Sequence, residues 1–153
     1  MVPSLQVVNH LIVAESTIIC YSERMIRSSA EFVRLRDSER AEEYQRAANE
    51  EAPDAVWLEI ISRYPSMRTW VAHNKTIPLD ILRLLATDKS PTVRSAVASK
   101  RKLDAKLFEQ LAHDSDEGVR ASVASNAKAP RHLLEELSRD SVSFVAEAAR
   151  QRL

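Results

Sequence analysis

Three arginines, Arg68, Arg94 and Arg120, stand 26 residues apart, and three aspartates, Asp88, Asp114 and Asp140, keep the same interval. A guanidinium is a planar fork that matches carboxylate and phosphate oxygens two at a time, so such a row can grip an anionic partner. The alternative is internal. Each arginine bonds the aspartate six residues before it, or each carboxylate takes up N–H groups at the start of the next helix. The internal reading is favoured because both ladders belong to the repeating pattern itself. Ala146 interrupts the arginine register and fits either reading.

Between the ladders lie segments that differ from unit to unit: His73-Asn74-Lys75-Thr76, Ser99-Lys100-Arg101-Lys102 and Ser125-Asn126-Ala127-Lys128. With Lys106 and Arg131 they make a basic edge, whose chemistry suits an acidic protein or a nucleic-acid backbone, although a solvated loop edge is the default for such residues. The candidate partner-binding residues are therefore Arg68, Asn74, Arg94, Lys100, Lys102, Arg120, Asn126 and Lys128. Exposed positions of the following helices, Asp80/Arg83, Lys106/Glu109 and His132/Glu135, mix signs and favour protein over DNA.

Nothing comparable points to catalysis. The one glycine, Gly118, excludes every glycine-rich phosphate loop and nucleophile elbow. His10, His73, His113 and His132 fall at no recurrent ligand spacing, whereas zinc needs three or four converging donors. Cys20 is the sole cysteine, so neither an internal disulfide nor a thiolate cluster can form. No catalytic, cofactor or metal residue is assigned, and the chain is expected not to be an enzyme. Trp57 and Trp70 sit on apolar stripes and are assigned to the core.

These residues are carried by a repeat. From Met67 the chain restates itself every 26 residues: Met67, Val93, Val119 and Val145 occupy one position, Val71, Val97, Val123 and Ala149 the position four later. Trp70, Ala96, Ser122 and Ala148 lie between, which completes a narrow helical stripe. After the variable segment come Pro78, Asp104 or Pro130, and then a heavier stripe: Ile81/Leu82/Leu85, Leu107/Phe108/Leu111 and Leu133/Leu134/Leu137. Pro65 and Pro91 suit the first position of the first helices. The expectation is an all-α fold, a right-handed α-solenoid of about four short two-helix repeats, because a unit this small cannot bury its own apolar face.

The repeat units are placed at 41–63 in degenerate form, 64–88, 89–114, 115–140 and 141–153, the last truncated and read as a C-terminal cap. Residues 1–40 do not match and are expected to form an N-terminal helical cap: a long helix to about Ser28, a short one around Glu31–Arg36, and a break at Asp37-Ser38. One structural domain is implied. At 153 residues with 44% hydrophobic and 29% charged residues the chain can build a core. Its formal net charge is zero, but residues 1–63 carry about −4 and residues 64–131 about +5, so the middle units are the basic ones. The apolar start lacks a basic leader and is interrupted by His10 and Glu15, so no membrane span is expected and a cytoplasmic location is.

The runs Val119-Arg120, Val123-Ala124, Asn126, Pro130, Leu133-Leu134 and Asp140, with Val93-Arg94, Val97-Ala98, Leu111-Ala112 and Asp114, resemble the leucine-rich repeat variant. The likeness covers about residues 42–153 and extends more loosely to HEAT and armadillo-type repeats. Some leucine-rich repeat variant proteins carry an iron–sulfur segment, which a lone Cys20 cannot supply. The segment from Glu31 to Pro65, followed by Trp70-Val71-Ala72-His73, also resembles small bacterial repeat proteins, some of which suggest immunity or antitoxin partners. The resemblance implies a non-catalytic scaffold that binds another protein. A HEAT-like nucleic-acid-binding module using the basic edge on residues 64–131 is the alternative.

Overall fold

Prolines and aspartates mark where helices begin in this chain. The computed structural model describes residues 25–153. Within them the fold is all-helical, with ten α-helices and no strand beyond one isolated bridge between Met25 and Glu51. The helices are α1 Ser29–Asp37, α2 Ala41–Asn49, α3 Asp54–Arg63, α4 Arg68–His73, α5 Leu79–Leu85, α6 Pro91–Ala98, α7 Ala105–Ala112, α8 Glu117–Ser125, α9 Arg131–Leu137 and α10 Ser143–Arg150. A 3₁₀ turn, Pro65–Met67, leads into α4.

Pro78 and Pro130 occupy the N-cap positions of α5 and α9, where a missing N–H costs nothing. At the equivalent point of α7, Asp104 instead accepts a hydrogen bond from Leu107 N (2.8 Å), and Asp116 does the same for Val119 N at the head of α8 (3.1 Å). Ser28 caps α1 through Glu31 N at 3.1 Å. That cap explains one departure from the sequence reading. The long helix expected to reach Ser28 lies mostly outside the described residues, and its last part, Met25–Ser28, is not helical: Ile26 N donates to Glu51 O at 2.8 Å, and a fresh helix starts at Ser29.

Packing follows the two stripes. The first helices, α4, α6, α8 and α10, lie against one another in chain order, and the second helices lie beside them with thinner mutual contact. Close approach of the first helices is possible because their facing residues are small. Ala96, Ala98, Ala124 and Ala149 are buried there, and Ser95 and Ser122 share a hydroxyl–hydroxyl bond of 2.7 Å between α6 and α8. Val71, Val97, Val123 and Val145 are fully buried between the rows, with Leu85, Leu111 and Leu133 from the second helices. Each such burial contributes roughly 1.5–3 kcal/mol. At the amino-terminal end Phe32 of α1 meets Trp57 of α3 edge to face, ring centroids 5.5 Å apart, so α1 closes the apolar surface of α3.

Candidate functional site: a basic edge between the helices

The arginine and aspartate ladders meet each other. Arg94 forks onto Asp114, Nε to Oδ2 at 2.7 Å and Nη2 to Oδ1 at 2.8 Å, and its Nη1 donates to the backbone carbonyl of Asp88 at 2.8 Å. Arg120 repeats this with Asp140 (2.7 and 3.2 Å) and the carbonyl of Asp114 (2.9 Å). Arg68 reaches Asp88 at 3.2 Å and the carbonyl of Ile61 at 2.7 Å. The carboxylate partner is thus twenty residues later; the aspartate six residues earlier contributes its carbonyl to Arg94 and Arg120, and Ile61 takes that place for Arg68. The same carboxylates also accept Ser90 N, Asp116 N and Val142 N just ahead of the next first helices. The Arg94–Asp114 side chains are only 15% and 10% exposed. The guanidinium bonds lower the pKa of Asp114 and of Asp140, against the opposing effect of burial. Arg68, Arg94 and Arg120 are thereby engaged inside the fold.

The two candidate asparagines are also turned inward. Asn74 is fully buried, its amide donating to Ala47 O and Glu50 O (both 2.9 Å) and its Oδ1 accepting Thr76 N at 2.8 Å. Asn126 does likewise with Ala98 O (2.7 Å), Lys100 O (2.8 Å) and Lys128 N (2.9 Å). Each ties its loop to the loop one unit earlier. At the corresponding position of the middle unit stands Lys100, whose Nζ donates to Asn74 O at 2.6 Å. Burial, then Lys102 and Lys75, push its pKa down to about 8.

What remains on the edge is cationic. Lys75, Arg101, Lys102 and Lys128 are exposed, and among the described residues none of them, nor Lys100, forms an ion pair with a carboxylate. Lys75, Lys100, Arg101 and Lys102 surround a concavity of about 300 Å³ floored by Ile77 and Leu82. On the second-helix face several charged groups have partners instead: Arg83 pairs with Asp104 (2.6 Å), Arg131 with Glu135 (2.9 Å), and His113 meets Glu136 (2.8 Å).

One cluster beside this edge carries no signal in the repeat. Arg36, at the end of α1, lies with its Cζ 3.6 Å from the Trp70 ring centroid and 3.9 Å from that of Tyr44. Trp70 is 38% exposed rather than in the core to which its stripe assigns it, whereas Trp57 is fully buried. The reason is that Ala96, Ser122 and Ala148 share the Trp70 register: the position suits small side chains between rows, and an indole there extends to the surface. Arg36, Tyr44 and Trp70 come from three different elements, so no spacing along the chain relates them.

Among the described residues no group of three or more His, Cys, Asp or Glu side chains is placed to hold a metal ion, and no helix is long and apolar enough to cross a membrane. His10 and Cys20 lie outside those residues. Compared with known proteins, the chain matches no family model, no curated protein and no solved structure.

Proposed function

We propose that this chain is a non-catalytic scaffold, a right-handed α-solenoid of about four 26-residue units, which binds an acidic protein along the edge bearing Lys75, Lys100, Arg101, Lys102 and Lys128. The observation that carries the reading is the clustering of unpaired cations: the ladder arginines are engaged within the fold, whereas Lys75, Lys100, Arg101, Lys102 and Lys128 stand together along one edge and form no ion pair among the described residues. Asn74 and Asn126 hold the loops in place before any partner arrives, so little ordering entropy is lost on association. The likeness to small bacterial repeat proteins extends the proposal to an immunity or antitoxin setting, which co-purification with a toxin-like partner tests.

Binding of labelled poly-glutamate, followed by fluorescence anisotropy, tests the edge. The variant carrying Lys75→Gln, Lys102→Gln and Lys128→Gln, all exposed, is expected to bind about tenfold more weakly with little change in melting temperature. The unpaired cations also favour a second reading, a nucleic-acid module. If duplex DNA binds more tightly than poly-glutamate, with a log–log salt slope near −0.9 per neutralised phosphate, that reading replaces the first.

A further inference from the structure

We propose that the Arg36 guanidinium, held against the Trp70 and Tyr44 rings, is the anchor subsite of this surface and takes a side-chain carboxylate from the acidic partner; the inference rests on the protein-binding reading above.

The two ring planes stand 72° apart, so the Arg36 guanidinium can stack on only one of them, and neither ring face replaces a carboxylate or carbonyl as acceptor for its N–H donors. Arg36 has no hydrogen bond to any carboxylate or carbonyl among the described residues, and its Nε is buried without a partner. Its neighbours show that carboxylates were within the reach of these helices. Arg34 pairs with Glu43 at 3.0 Å, and Arg46 pairs with Glu50 at 2.8 Å and Glu31 at 3.2 Å. Arg36 alone of these three is held by rings instead. The rings fix the fork in one orientation, which is the arrangement that recognises a planar carboxylate without losing side-chain freedom at the moment of binding.

The surroundings fit an anion of that size. Arg36, Tyr44, Ala47, Ala48, Trp70 and His73 line a concavity of about 230 Å³. That is smaller than the ~300–1,000 Å³ of small-molecule sites and accommodates one side chain. His73 lies with its ring 5.8 Å from Trp70, and its pKa is lowered by burial, Lys100 and Arg36. The local field is therefore positive and continuous with the lysines of the edge, while His73 adds no second charge near neutrality. A single fixed guanidinium suits a monoanionic carboxylate better than a phosphate dianion, which would call for further charged donors. Tyr44 and Trp70 are each 38% exposed and stand nearly edge to face at 6.4 Å, so an arriving chain would also cover two rings. Trp, Tyr and Arg are the residue types in which interface binding energy concentrates.

The test uses the full chain, isotopically labelled, with an acetylated and amidated hexaglutamate peptide as probe and inorganic phosphate and hexathymidylate as comparisons. NMR follows the Arg36 Nε–H and Trp70 indole signals together with the lysine ammonium-side resonances. Hexaglutamate is expected to shift the Arg36 and Trp70 signals saturably. Arg36→Lys, which keeps the charge and loses the fork, should weaken binding about fivefold or more. Because Arg36 also joins α1 to α4, Trp70→Phe serves as the second variant: it keeps a ring and should give a smaller loss at an unchanged melting temperature. If hexaglutamate shifts only Lys100, Lys102 and Lys128, the subsite is wrong and the basic edge stands. If it shifts nothing, both fall. If phosphate or hexathymidylate shifts Arg36 at equal or lower concentration, the carboxylate assignment is overturned.

Discussion

At the scale of single residues, the same polar side chains that suggest binding prove to hold the units together. Arg94 neutralises a largely buried carboxylate whose other bond is to the Asp116 N–H, and it also bonds the Asp88 carbonyl, so Arg94→Ala is expected to lower unfolding free energy by about 2–4 kcal/mol in urea titrations. The depressed pKa values of Asp114 and Asp140 imply stability that is complete above the ordinary aspartate range near 4 and is lost as pH falls below it. Acid titration of the Arg94→Ala protein should show a shallower loss. The lowered pKa of Lys100 has the same sign of pH dependence but costs stability at neutral pH, where the ammonium is still charged and partly buried. The folded chain releases its proton near pH 8 and the unfolded chain near 10.4, so the unfolded state binds more protons in between, and stability should rise from about pH 8 to about pH 10. Lys100→Asn places at this position the residue used at 74 and 126. Its amide should serve the Asn74 carbonyl that Nζ now occupies, remove the alkaline rise, and increase stability by about 1 kcal/mol at pH 7, all measurable by thermal melts across pH.

At the scale of elements, the helices are short, six to ten residues, and isolated helices of that length are marginal in water. Their ends therefore matter more than their interiors. Where α5 and α9 use proline, α7 relies on Asp104, which caps Leu107 and pairs with Arg83 of α5. Asp104→Ala should lower the denaturant midpoint, chiefly through loss of the cap, because the Arg83 pair is exposed and screened. Asp104→Asn, which keeps the cap and removes the charge, should recover most of that loss. The Asp104 carboxyl is held below its usual range by the Leu107 N–H first and Arg83 second, consistent with that order.

For the whole molecule, the rows of first and second helices share one apolar core running from Ile26 to Ala149. Leu111 is fully buried in its middle, so Leu111→Ala is expected to destabilise by about 2–5 kcal/mol and to lower hydrogen-exchange protection in α6 and α8 more than in α1. If α1 loses protection to the same extent, the units do not behave as a linear array in which each leans chiefly on its neighbours. The charge asymmetry has the same reach: a chain of zero net charge gathers Lys75, Lys100, Arg101, Lys102 and Lys128, none of them in an ion pair among the described residues, along one loop edge.

Helix type, the positions of Pro78, Asp104 and Pro130, and the basic character of residues 100–102 are all legible along the chain, because periodicity, capping and charge act over a few neighbouring residues. Whether Arg94 or Asn126 faces a partner or the interior is decided by groups 6 to 28 residues away, which only the packing of one unit on another brings within hydrogen-bond distance. Arg36, Tyr44 and Trp70 show the same limit: each is an ordinary residue in its own helix, and only the fold brings two rings within 4 Å of the guanidinium carbon and holds it in place.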